Sequence, residues 1–102
     1  MKNVDFLLFD AKNYSKELTS RDLDTFREYI RKSPFFGNFG IILSRHGASS
    51  TCHESIYESL RDGLKIVVLD QDDLLLMLDY LENGKIPLDV IENKYNELLL
   101  QL

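Results

Sequence analysis

The sequence predicts one α/β domain, residues 1–102, in which a mainly parallel β-sheet and its helices form three layers in the chain order β-α-β-α-β-α-α. Three observations lead there. Three apolar runs, at residues 4–10 (VDFLLFD), 39–43 (FGIIL) and 64–69 (LKIVVL), are too short for helices and suit buried strands. The segments between them place apolar residues at helical spacing, and strands separated by helices imply right-handed crossovers and parallel pairing. The chain has 102 residues, 44% hydrophobic and 28% charged, which is enough for one core and too little for two.

Each element has its own signals. Residues 12–20 are polar and read as a loop. Thr19 with Asp22 has the spacing of a capping box, in which the two residues satisfy free N–H groups at a helix start. Leu23, Phe26 and Ile30 follow as one apolar stripe, and Ser33-Pro34 ends that helix because proline disfavours helical geometry in the residue before it. The second strand lies between Gly37 and Ser44, followed by a turn-rich loop, SRHGASS. Thr51 with Glu54 is a second capping-box pair, backed by Ile56 and Leu60, and Gly63 is placed to end that helix. After the third strand, Asp70 suits an N-cap, and Asp72 and Asp73 suit the positive end of the helix dipole. The helix 72–82 stops at Asn83-Gly84, and Pro87 opens the last helix. There, Leu88, Ile91, Tyr95, Leu98 and Leu102 make a narrow seam, open to internal packing or to a coiled-coil-like dimer contact.

Composition excludes several function classes. The longest apolar runs, as at 74–78, are too short to span a bilayer, so no membrane contact is expected. No basic-then-apolar leader is visible, and the single Cys52 cannot form an internal disulfide, so a reducing cytoplasm is the expected location. The net charge of −5 argues against a general nucleic-acid coat. It is unevenly spread: residues 1–50 hold eight Lys/Arg against six acids (+2), and residues 51–102 hold four against eleven (−7). Either one face meets a polyanion, or these are ordinary solvated helix faces.

Functional groups in parallel sheets collect at strand carboxyl ends. Those ends carry Asp10-Ala11-Lys12, Ser44-Arg45-His46 and Asp70. The stretch DFLLFDAKNYSKELTSRDLDTFREY, from Asp5 to Tyr29, resembles the core of the PD-(D/E)XK nucleases, most of all their Mrr-type, restriction-endonuclease-like branch. In that family a strand ends in acid-x-Lys, often followed by a polar–aromatic pair, here Asp10-Ala11-Lys12 and Asn13-Tyr14. FGIILSRHGASS and LRDGLKIVVLDQDDLLLML also resemble the family, so the likeness covers residues 4–84. It implies a partial restriction-endonuclease-like core and Mg²⁺-dependent hydrolysis of DNA.

The chemistry follows from the residue types. Residues two apart on a strand project to one face, so Asp10 and Lys12 can address one site. A carboxylate can hold Mg²⁺, which polarises a phosphoryl oxygen, and an ammonium beside it can stabilise the charge that develops there. The resemblance assigns Asp10 as metal ligand and Lys12 as electrostatic stabiliser; spacing alone favours an ordinary strand-end ion pair. The family carries a further metal-binding Asp upstream. Here Asp5 is the only acid before Asp10, and five residues along a regular strand put it about 16–17 Å away on the other face. Two expectations follow: the C-terminal part of a longer nuclease, or a nuclease-derived interaction module that pairs its open first strand with a second copy or an N-terminal partner segment.

Lys16, Arg27, Arg31, Arg45 and His46 are the candidate nucleic-acid contacts. Arg45 and His46 end the second strand, where N–H groups of the next helix could assist with a phosphate, and Arg27 and Arg31 share a helix face. Each also reads as solvated surface. Phe35 and Phe36 suit either base stacking or a lid on the core. Cys52 and His53 are adjacent on a helix, about 100° apart, so they make no nucleophile–base pair; Cys52 reads as half-buried packing and His53 as surface.

Overall fold

The computed structural model describes residues 16–32 and 39–101 with their side chains and residues 7–12 by backbone. Phe35 and Phe36, with Leu102, lie outside the described residues. The elements are β1 (Leu7–Lys12), α1 (Ser20–Lys32), β2 (Phe39–Ser44), α2 (Ser50–Arg61), β3 (Lys65–Leu69), α3 (Gln71–Glu82) and α4 (Leu88–Leu100). The expected element order therefore holds. The first strand continues to Lys12, two residues beyond its expected end, and the second continues to Ser44.

The sheet runs β1-β2-β3, and both pairings are parallel. Two right-handed crossovers stepping the same way along a sheet deliver their helices to the same face. Accordingly Leu23, Phe26 and Ile30 of α1 and Cys52 and Ile56 of α2 share one apolar cluster with Ile42, Ile66 and Val68. On the other face Phe39, Ile41, Val67 and Leu69 pack with Ile91, Met77 and Tyr95 of α3 and α4. A strand covered on both faces must be apolar on both, which is why β3 lacks polar alternation.

The helix ends show local chemistry at work. Thr19 and Asp22 form the expected reciprocal cap: the Asp22 N–H donates to Thr19 Oγ1 at 3.3 Å, and the Thr19 N–H to Asp22 Oδ2 at 2.9 Å. The start of α2 differs from expectation. Ser49, in extended backbone, is the N-cap and its hydroxyl accepts from the Cys52 N–H at 3.2 Å, whereas Thr51 lies inside the helix. Gly63 ends α2 with φ +85°, a conformation that costs glycine nothing.

Two packing results depart from the sequence reading. Cys52 is fully buried, at 0% exposure, and not half-buried. In α4 the buried residues are Val90 and Ile91, with Tyr95 and Leu98 packed against the core and Leu88 exposed. Ile91, Tyr95 and Leu98 of the seam therefore serve internal packing, with Val90 buried beside Ile91 where Leu88 was expected. No described helix is long and apolar enough to cross a membrane.

Candidate functional site at the carboxyl end of the sheet

The parallel register brings three strand ends to one edge. Lys12 is level with Ser44, Asp10 with Ile42, and Leu43 with Leu69. The carboxyl end of the sheet thus gathers the backbone of Lys12, the loop after β2, and the start of α3. The side chains of Asp10 and Lys12 lie outside the described residues.

The loop after β2 is tightly held. Gly47 takes φ +73°, its N–H donates to the Ser44 carbonyl at 3.1 Å, and the Ser44 hydroxyl donates to the Gly47 carbonyl at 3.4 Å. The segment before α1 runs beside it: the Leu18 N–H donates to Gly47 O and the Ser49 N–H to Leu18 O, each at 2.8 Å. Leu18 is buried and anchors this pairing. Lys16 is therefore carried to the same end as Arg45 and His46, and all three are exposed.

The start of α3 completes the edge. The Asp73 N–H donates to Asp70 Oδ1 at 2.9 Å, and the Asp70 N–H to Asp73 Oδ2 at 2.8 Å, a full capping box. Lys94 of α4 donates to Asp73 Oδ2 and ties the two helices together. Partial burial opposes ionisation of Asp70, but the Asp73 backbone and side chain, the Lys94 charge and the Asp72 N–H outweigh it and hold its pKa below the usual carboxylate value. Asp70 is thus a helix cap, as its position suggested. Arg45 is steered by α3 as well: its Nε donates to Gln71 Oε1 at 3.1 Å, and its carbonyl accepts from the Gln71 N–H at 3.3 Å.

The candidate cations divide into two groups. Lys16, Arg45 and His46 lie on segments at the carboxyl end of the sheet. Arg31 is eleven residues along α1 from its start, about 16 Å down the helix, and sits 3.7 Å from Glu28. Arg27 packs between α1 and the end of α2, 3.5 Å from Asp62 and 3.9 Å from Asp24, with its side chain only 14% exposed. Its Nε is buried without a partner among the described residues. The guanidinium thus serves as a clamp between helices, a role that spacing within α1 could not reveal. Sequence reasoning also missed Gln71 and Lys94, because contacts across 26 and 21 residues leave no local signal.

Among the described residues, no group of three or more His, Cys, Asp or Glu could hold a metal ion. The described carboxylates nearest this edge, Asp70 and Asp73, are already engaged in the cap and with Lys94. No protein-family model, curated protein or solved structure matches the chain.

Proposed function

We propose that this domain is nuclease-related, with a restriction-endonuclease-like three-layer core, and acts on DNA phosphodiesters at the carboxyl end of its sheet. The observation that carries this reading is the register of β1. Asp10 and Lys12 stand two residues apart on one strand, and Lys12 is level with Ser44, one residue before the exposed Arg45 and His46. Strand positions that bear an acid and a lysine, near the exposed Arg45, suit a phosphate ester. In this reading Lys12 stabilises charge on the phosphoryl oxygens, while Lys16, Arg45 and His46 hold the flanking backbone. Asp10 would be the carboxylate toward Mg²⁺, an ion that would lower the pKa of water and polarise the phosphoryl group. Arg27 and Arg31 fall outside the contact surface.

The test is incubation of the chain with supercoiled DNA and Mg²⁺ or Mn²⁺, beside a Lys12→Ala variant. Nicking that the substitution abolishes supports the reading. Equal background in both rejects catalysis by this chain.

A second reading has one observation in its favour. Among the described residues β1 pairs only with β2, so it lies at a sheet edge. A strand edge offers unpaired N–H and C=O groups to another chain. The domain would then be a non-catalytic module that completes its sheet with a second copy or a partner strand. A strict monomer at micromolar concentration by native mass spectrometry would rule out the second copy.

A further inference from the structure

The composition of α3 conflicts with its packing. Its sequence, QDDLLLMLDYLE, is apolar around nearly the whole helix, and such helices are normally enclosed. Yet none of its residues is fully buried; Leu75, Leu78 and Leu81 are 55%, 56% and 64% exposed. Leu74, Met77, Leu78 and Leu81 line up at helical spacing and, with Pro87, wall an apolar groove of about 380 Å³. Exposed leucines in one groove, beside the exposed Ile86 and Leu88, make a contiguous apolar surface of the kind that marks an interaction site.

Charge selects the occupant. Residues 70–101 carry eight acids and two lysines. Lys94 is taken up by Asp73, and Lys85 lies over the Tyr80 ring. Glu82 stands one turn beyond the groove residue Leu78, and Asp89 lies two residues after the groove residue Pro87; both are exposed, and no described cation pairs with them. Apolar floor and acidic rim together are complementary to a helix with an apolar stripe and basic flanks. A second copy is the poorer match, because its own acidic rim would face this one.

We propose that the α3 groove is a docking site for a basic amphipathic helix of a partner protein. The leucines supply the contact area, and Glu82 and Asp89 supply orientation and selectivity.

The proposal is tested by titrating the full chain with a synthetic Leu/Lys amphipathic helix of about 15 residues, long enough to span α3. A Leu/Glu peptide with the same stripe and a scrambled Leu/Lys peptide are the controls. The Leu/Lys helix is expected to bind at least about tenfold more tightly than either. The exposed double substitution Leu78→Glu/Leu81→Glu should abolish binding while the circular dichroism spectrum and melting temperature are retained. Glu82→Gln/Asp89→Asn should weaken binding and flatten its salt dependence. Equal binding of the scrambled or Leu/Glu peptide, no binding of any peptide, or binding indifferent to the leucine substitutions overturns the proposal. So does sedimentation showing a wild-type dimer that Leu78→Glu/Leu81→Glu dissociates, because the occupant is then a second copy.

Discussion

Gly40 of β2 lies directly under the ring of Phe26: a β-carbon built on it would stand 2.6 Å from Phe26 Cε2 and 3.0 Å from Ile30 Cδ1. The absence of a side chain is what lets α1 sit this close to the central strand. Phe26 is itself buried, so its ring must shift within the core to admit a β-carbon. Gly40→Ala is therefore expected to destabilise the domain by about 1–3 kcal/mol through overpacking. Urea unfolding checks this. In a Phe26→Leu background the cost of Gly40→Ala should shrink, and an undiminished cost would show that ring contact is not its source.

The capping box at α3 links stability to pH. The pKa of Asp70 is lowered in the folded chain, so its ionised form contributes stability above the ordinary value of 3.8. That contribution is lost as pH falls through the lower folded value. Asp70→Ala should cost about 1 kcal/mol at neutral pH. The gap in urea midpoint between wild type and variant should narrow below pH 3.8. A constant gap would mean that the carboxylate charge plays no part.

Arg27 and Arg45 should separate stability from binding. Arg27 is packed between α1 and Asp62, so Arg27→Ala should lower stability by about 1–2 kcal/mol. Arg45 is exposed, and Arg45→Ala should change stability by less than about 0.5 kcal/mol. If the sheet edge holds DNA, Arg45→Ala weakens binding across sequences and reduces the salt slope by about one. Fluorescence anisotropy at several salt concentrations reads both.

Cys52 should be inert in the folded chain. Burial, with Asp22 and Asp24 adding, pushes its thiol up to about 11. The thiolate is the reactive form, so a thiol reagent at neutral pH should label Cys52 only in denaturant. Since the folded pKa lies above the ordinary 9.0, the thiol imposes no penalty below that pH, and stability declines as pH rises from there through about 11. Fast labelling of native protein would contradict the buried placement.

Local signals in the chain identified most of the architecture. The Thr19–Asp22 cap, the Asp70 cap and the Gly63 stop all act within a few residues, so their spacing is visible in one dimension. The cap of α2 was displaced to Ser49 because three consecutive hydroxyl residues, Ser49, Ser50 and Thr51, offer the same chemistry. Only the extended backbone at Ser49 breaks that degeneracy. In the candidate site, the acid-x-Lys strand and the Arg45-His46 loop were legible as strand ends. The capture of Arg45 by Gln71 and the tie from Lys94 to Asp73 were not, since both join residues more than twenty apart.

The sequence alone determined the element order and the parallel pairing, because apolar periodicity and strand–helix alternation are properties of neighbouring residues. Tertiary structure decided which helices share a face, that Arg27 clamps two helices, and that the leucines of α3 stay uncovered. Those outcomes depend on how far each helix can approach the sheet and on what else occupies its surroundings, and both are settled only when distant segments pack together.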